Sequence, residues 1–254
     1  MKILFFGDIV GRPGREAILE NLQSLRLQYQ ADVCVANCEN AAGGFGITRE
    51  HAQTLMRAGV DVFTTGNHVW SKKEVVSLMD EMSILRPHNL PASDPGTGVG
   101  FFTTDRGEKL AIVNLIGRVY MDLPAQSPFE TLDAVLKTID TPHILVDFHA
   151  EATSEKKALG FYADGRVSAV LGTHTHVQTA DEQILPGGTA YISDVGMCGA
   201  FHSVLGVDAE IAVKRFTSSV RKSYAVAHGP HEASAVFIET NELGRAIRIE
   251  RIRV

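Results

Sequence analysis

The sequence predicts an α/β fold whose sheet is largely parallel. Short, uninterrupted apolar runs recur along the chain, and each one is followed closely by a glycine, a carboxylate or a histidine. Helix-like patterns with recognisable start signals lie between these runs. Continuous apolar runs are typical of strands buried on both faces, and strands that alternate with helices are typical of parallel sheets.

Seven apolar runs are predicted to be the buried strands. In chain order they are residues 3–6, 33–36, 60–64, 111–115, 144–146, 169–171 and 190–192. The tail differs, because residues 233–239 and 246–254 flank a turn-like segment and predict a hairpin. The stretch rich in proline and glycine at 87–100 is followed at once by strand-like sequence, so we interpret it as an internal loop. The expected organisation is one domain over residues 1–254.

Three segments carry good helix start signals. Residues 15–29 have apolar side chains at helical spacing and follow Pro13. Residues 71–74 and 127–130 both read Ser-x-x-Glu, the capping box in which serine and glutamate satisfy free backbone N–H groups. The second box also has Pro128 at the first helical position. Residues 43–47, 154–160 and 196–206 are expected to be loops that shape a pocket.

Composition excludes several classes of protein. The 254 residues are 44% hydrophobic and carry a net charge of −6, which argues against disorder and against stable nucleic-acid binding. The three cysteines make a disulfide framework improbable, so a cytoplasmic location is expected. No apolar run has the length of a membrane span, and no membrane association is expected.

Polar residues follow the predicted strands at the points where those strands end. They are Asp8, Glu39, Asn40, Asn67, His68, His149, His174 and His176. The carboxyl ends of parallel strands form one rim, and ligands bind there in open α/β sheets. We therefore expect these side chains to converge on one site although they are far apart along the chain.

The residue types at this rim indicate a metal site. Carboxylate, amide and imidazole groups are donors suited to iron, manganese or zinc, and the absence of cysteine argues against a purely structural zinc site. Two divalent ions bridged by one carboxylate form the clamp used for phosphoester hydrolysis. In that clamp one ion holds a hydroxide, and both neutralise charge on the phosphoryl oxygens.

Each residue alone has a simpler interpretation. An aspartate after a strand, such as Asp8, is usually a cap or turn residue, and a lone histidine such as His149 is more often a satisfied buried side chain. The histidines at 174 and 176 can face the same side of an extended segment. Only the ordered set favours a metal site. The spacing of Gly7, Gly11 and Gly14 does not match a dinucleotide-binding loop.

Two motifs make the chain resemble the calcineurin-like metallophosphoesterase superfamily. These are Gly-Asn-His at 66–68 and Gly-Thr-His-Thr-His at 172–176, with His149 between them. Two positions depart from the usual pattern of that superfamily. Residues 8–11 lack the histidine that normally follows the aspartate two positions later, and Glu39 stands where an aspartate usually bridges the metals. Together with residues 147–153 and 194–197, these departures resemble the YmdB-like branch.

The resemblance implies a four-layer α/β/β/α sandwich and a dinuclear centre, preferably of iron, with manganese or zinc as alternatives. Asp8, Glu39, Asn40 and His176 would bind the first metal. Glu39 would bridge to the second metal, which Asn67, His149 and His174 would complete. His68 would act as the general acid that protonates the leaving oxygen.

The leading hypothesis is a dinuclear-metal phosphodiesterase that hydrolyses phosphoesters, with 2′,3′-cyclic nucleotides as the substrates that the resemblance implies. A metal-bound hydroxide would attack phosphorus in line, and the leaving oxygen would take a proton from His68. The alternative is a nucleotide-binding regulatory protein whose metal site mainly holds its ligand. Such a binder has no need of His68. Both hypotheses leave a homo-oligomer open.

Overall fold

The computed structural model of this chain describes residues 1–219 and 223–254. Its strands are β1 (Lys2–Phe6), β2 (Asp8–Ile9), β3 (Val33–Asn37), β4 (Val62–Thr64), β5 (Val99–Thr103), β6 (Lys109–Ile116), β7 (His143–His149), β8 (Ala169–Thr173), β9 (Gln183–Ile184), β10 (Ala190–Ile192), β11 (Met197–Ala200), β12 (His231–Glu232), β13 (Ser234–Thr240) and β14 (Ala246–Arg253). Its α-helices are α1 (Gly11–Tyr29), α2 (Arg49–Ala58), α3 (Val75–Glu81), α4 (Pro128–Leu136), α5 (Thr153–Ala163) and α6 (Ala209–Thr217).

Two mixed sheets with parallel centres form the middle of the molecule. In the first sheet the strand order is β14-β13-β1-β3-β4, with β1, β3 and β4 parallel and the β13–β14 hairpin antiparallel beside them. In the second sheet the order is β5-β6-β7-β8-β10-β9, and only the edge strands β5 and β9 are antiparallel. A small third sheet, β12-β11-β2, lies beside α1.

Alternating side chains on the strands build a four-layer sandwich. On β1, Leu4 and Phe6 pack in a cluster with the buried faces of α1 and α2. Ile3 and Phe5 point the other way and pack in a second cluster with residues of the other sheet, such as Ile112. A third cluster joins the far face of that sheet to α4 and α5. The order of layers is therefore α/β/β/α, as the family resemblance implied.

The predicted strands and hairpin are confirmed, with small shifts at their ends. The strand predicted at 60–64 begins later, at Val62, and the Asp61 carboxylate before it accepts a hydrogen bond from the Cys34 backbone N–H at 2.8 Å. The predicted loop at 154–160 is wrong because these residues belong to α5. The buried face of α5 carries Lys156, and this charged residue interrupts the apolar spacing that would otherwise predict a helix. The predicted loop at 196–206 contains β11.

One of the two predicted capping boxes is confirmed. Ser127 accepts a hydrogen bond from the Glu130 backbone N–H at 3.3 Å, and Pro128 opens α4. The box at 71–74 is wrong, because Ser71 ends a short 3₁₀ helix and α3 begins only at Val75. The carboxylate of Glu74 instead accepts a hydrogen bond from the backbone N–H of Arg49, at the start of α2.

Cys34, Cys38 and Cys198 are buried and free of disulfide bonds. Within residues 1–219 and 223–254, no helix combines the length and the apolar character that a transmembrane segment needs.

Candidate metal centre

All eight polar residues predicted at the strand ends meet where the two sheets end together. The first sheet contributes Asp8 after β1, Glu39 and Asn40 after β3, and Asn67 and His68 after β4. The second sheet contributes His149 at the end of β7 and His174 and His176 after β8. The predicted convergence is therefore confirmed. The two sheets face each other, so the site is built from both.

The carboxylate of Glu39 belongs to two clusters of metal-ligand type. In one cluster it lies with His149 and His174, and in the other with Asp8 and His176. Within each cluster the ligand atoms are within 4.8 Å of one another. A shared carboxylate between two such clusters is the arrangement that two neighbouring cations require.

In its neutral form, the side chain of His149 presents an unprotonated nitrogen to the first of these clusters. Its Nδ1 lies 2.9 Å from Thr173 Oγ1, and the Thr173 hydroxyl donates to Asp147 Oδ1 at 2.7 Å. Because the hydroxyl proton is used in that bond, the threonine oxygen accepts the proton on Nδ1. The Nε2 atom then carries a lone pair, as a metal-ligating histidine needs.

Other acceptor atoms surround His149 Nε2. Asn67 Oδ1 lies at 2.9 Å, His174 Nδ1 at 3.1 Å and Glu39 Oε2 at 3.2 Å. Lone pairs that converge at these distances repel one another unless a cation or a proton lies among them. The donor set, which combines one carboxylate, one amide oxygen and two imidazoles, fits a divalent transition metal.

The pKa values of these groups follow from the same crowding. Burial lowers the pKa of His149, but the nearby carboxylates of Glu39 and Asp8 outweigh burial and raise it to about 9. Burial opposes ionisation of Glu39, yet His149 and His68 lower the pKa of that carboxyl to about 2. Burial, together with His149, lowers the pKa of His174 to about 3. The carboxylates thus stabilise one positive charge, at His149, and that charge disfavours a second one at His174.

Asp8 offers a further vacant acceptor. The residue is fully buried, and burial raises the pKa of its carboxyl. Its Oδ2 accepts a hydrogen bond from the His174 backbone N–H at 3.1 Å, whereas its buried Oδ1 has no hydrogen-bond partner among residues 1–219 and 223–254. Buried carboxylate oxygens without partners are rare and costly. A cation beside His176 would satisfy this oxygen.

Both asparagine amides are oriented with their oxygens toward the clusters. Asn40 Nδ2 donates to the Gly44 carbonyl at 2.9 Å, which turns its Oδ1 toward His176 Nε2 at 3.3 Å. Asn67 turns its Oδ1 toward His149 and its Nδ2 toward His68. Each amide therefore offers an oxygen as a ligand atom, in keeping with the predicted role.

A strained turn that holds His174 and His176 is anchored by a buried ion pair. The two histidines have φ values of 103° and 65°, in the left-handed region that few side chains adopt. Between them, the Thr175 backbone N–H and hydroxyl both donate to Asp194 Oδ2, at 2.9 and 2.7 Å. Lys156 Nζ donates to the same oxygen at 2.7 Å, and both charged groups are buried.

Sequence reasoning missed three residues that support the site. Lys156 was missed because α5 was not predicted, although a lysine on an otherwise apolar helix face is a usable signal. Thr173 lies in the quoted motif but carried no predicted role. Glu151 Oε2 lies 3.1 Å from His174 Nε2, so this carboxylate orients the ring whose other nitrogen faces His149.

His68 lies beside the two clusters without belonging to either. Its backbone N–H donates to Glu39 Oε2 at 3.1 Å, and its ring Nε2 lies 3.3 Å from Asn67 Nδ2. The half-buried ring lines a cavity of about 300 Å³ together with Glu39, Asn40, His174 and His176. Burial lowers the pKa of the His68 imidazole.

Comparison with known proteins identifies the family. The statistical model described as YmdB-like protein matches residues 4–252. The chain belongs to the YmdB-like family. It is 45% identical to the 2′,3′-cyclic-nucleotide 2′-phosphodiesterase of Bacillus subtilis (strain 168) over 258 residues, covering all of this chain and 97% of that protein.

Solved structures agree with this assignment. A protein from Thermus thermophilus is 42% identical, with a TM-score of 0.95 and coverage of 100% of this chain and 99% of that one. A phosphatase from Mycoplasma pneumoniae is 37% identical, with a TM-score of 0.94 and coverage of 100% and 93%. The chain is therefore a phosphoesterase with the metallophosphoesterase sandwich, and its family implies divalent metal ions.

We expect the hydroxyl of Thr173 to strengthen the binding of a metal ion beside His149. Thr173→Val removes the bridge between Asp147 and His149, so the His149 ring loses the bond that fixes its tautomer. We expect the affinity for the metal beside His149 to fall about 10- to 100-fold, the usual scale for an outer partner of a metal-ligating histidine. Competition with a chromophoric chelator measures it. Thr173→Ser is the matched control, and equal affinities for the valine and serine variants would contradict the assignment.

Proposed function

We propose that this chain is a dinuclear-metal phosphodiesterase that hydrolyses 2′,3′-cyclic nucleotides in the cytoplasm, with residues 1–254 as one catalytic domain. The observation that carries the proposal is that two ligand clusters share Glu39 beside a cavity that His68 also lines. The name of the Bacillus subtilis relative supports the substrate class.

Seven side chains would hold the metals. Asp8, Glu39, Asn40 and His176 would bind the first ion, and Glu39, Asn67, His149 and His174 the second. When bound, two divalent ions neutralise charge on the phosphoryl oxygens. They also lower the pKa of water, so that hydroxide is available as the nucleophile at neutral pH. We propose iron, with manganese or zinc as alternatives. Because the first site has one imidazole and the second has two, we expect the first site to be the weaker one for late transition metals.

His68 would supply the proton for the leaving oxygen. Water adds to phosphorus through its oxygen and releases one proton, while the bond between phosphorus and O2′ breaks. The electron pair of that bond stays on O2′, which takes a proton from the His68 imidazolium. The product is a nucleoside 3′-phosphate with a free 2′-hydroxyl, and His68 regains its proton from solvent. The position of its ring at the cavity wall supports this role.

The proposal is tested with purified chain loaded separately with iron, manganese or zinc. We expect conversion of 2′,3′-cyclic AMP to adenosine 3′-phosphate, detected by chromatography, and loss of turnover after chelation that metal restores. Anomalous scattering at the iron and manganese edges, from crystals grown without added metal, identifies the ions. If the chain binds two ions and nucleotide but does not hydrolyse the nucleotide, the result would favour the alternative, a nucleotide-binding regulatory protein.

A further inference from the structure

The cavity beside the metal centre is lined by two chemically different sets of residues. One set consists of candidate ligands and His68. The other set, which we call the apolar lining, is Phe45, Leu205, Val207 and Tyr224. A volume of about 300 Å³ is within the range of small-ligand sites. A metal-held phosphoryl group accounts for the first set only.

Two aromatic rings of the apolar lining, Phe45 and Tyr224, form what we call the aromatic wall. Their ring centroids are 4.7 Å apart with an interplanar angle of 56°. The Phe45 ring also lies edge-on to His68, with centroids 4.8 Å apart. Both aromatic side chains are partly exposed and line the cavity. The wall is therefore in direct contact with the group proposed to protonate O2′.

Gly44 allows Tyr224 to lie against the loop that carries Phe45. A Cβ atom at Gly44 would be 2.7 Å from Tyr224 Cε1 and 3.0 Å from its hydroxyl oxygen. The φ of Gly44, +93°, is also one that glycine adopts readily. The wall thus depends on a close approach between two segments that are distant in sequence.

We propose that the aromatic wall is a nucleobase-binding subsite, an inference that rests on the proposed function. In a 2′,3′-cyclic nucleotide, O2′ is bonded to C2′, and the neighbouring atom C1′ carries the base. A substrate whose O2′ faces His68 must therefore hold its base close to His68. Phe45 is the ring that lies there, with Tyr224 next to it.

Stacking on this wall predicts tolerance of different bases. Every base has a π-face, so aromatic stacking stabilises each of them without reading the hydrogen-bonding edge. Leu205 and Val207, the other residues of the apolar lining, offer only apolar side chains. The cavity therefore selects nucleosides over simple phosphodiesters.

The experiment compares two substrates that differ only in the base. These are 2′,3′-cyclic AMP and the 2′,3′-cyclic phosphate of methyl β-D-ribofuranoside. We expect Phe45→Leu and Tyr224→Leu each to lower the ratio of the two kcat/KM values about tenfold, the scale of one base–aromatic stack. Damage to His68 or to metal binding affects both substrates and cancels in the ratio. Phe45→Tyr, which retains an aromatic face, should preserve the wild-type ratio of the two kcat/KM values.

Phe161→Leu is the matched control, because that exposed ring lies on α5 and outside the cavity lining. The subsite would be ruled out if Phe45→Leu and Tyr224→Leu had the same ratio of kcat/KM values as the wild type. If the wild type hydrolyses neither substrate, the proposed function is wrong, and calorimetry then decides on the subsite. Adenosine 3′-phosphate should bind about tenfold more tightly than ribose 3-phosphate, and Phe45→Leu should remove that difference. Equal affinities in the wild type would overturn the inference.

Discussion

Replacing His68 with alanine is expected to lower kcat toward 2′,3′-cyclic AMP by about two to four orders of magnitude, the usual contribution of a positioned general acid. Metal content should not change, because the His68 ring belongs to neither ligand cluster. The contact between His68 and Glu39 uses the backbone N–H, which alanine retains. Steady-state kinetics and elemental analysis of the same preparation measure both quantities.

A change of leaving group separates acid catalysis from general damage at the site. Bis-p-nitrophenyl phosphate releases a stabilised phenolate that has little need of a proton, whereas a ribose hydroxyl needs one. His68→Ala should therefore lose much less activity toward the nitrophenyl ester than toward the cyclic nucleotide. Equal losses for the two substrates, or near-normal turnover of the nucleotide by a fully metallated variant, would remove His68 from the mechanism.

Replacing Glu39 with glutamine is expected to reduce metal content from about two ions per chain to less than one, because a single bridging carboxylate serves both sites. Glu39 is fully buried and is the residue that the two clusters have in common. Its amide counterpart lacks the charge that holds two cations close together. Activity should fall at least as far as in His68→Ala. Elemental analysis of protein purified without chelators gives the stoichiometry.

Two further variants make the Glu39 result interpretable. Asp8→Asn should weaken the binding of one ion only, since Asp8 belongs to a single cluster. Glu130→Gln is the control, because Glu130 lies in the first turn of α4 and outside both clusters, and it should keep both ions. Two tightly held ions in Glu39→Gln would contradict the bridging role.

Strands and strand-end residues were predictable because their signals are local. A run such as Ile3–Phe6 is apolar on both faces whatever it packs against, and it is buried on both faces between α1 and the second sheet. Asp8 and His149 come within three residues of the ends of such runs, so the rule that ligands bind at the carboxyl ends of parallel strands placed them at one edge. Helix α5 was missed because Lys156 interrupts its apolar face, and the pattern does not show that Asp194 neutralises that lysine.

By itself, the sequence determined the α/β class, the principal buried strands, and the set of carboxylate, amide and imidazole groups at their ends, because apolar periodicity and residue chemistry are properties of short segments. The stacking of two sheets followed only from resemblance. Tertiary structure alone decided which groups touch: that Glu39 lies in two clusters, that Thr173 and Asp147 set the tautomer of His149, and that Tyr224 packs on Phe45. These contacts join residues far apart along the chain, and their geometry depends on how whole layers pack.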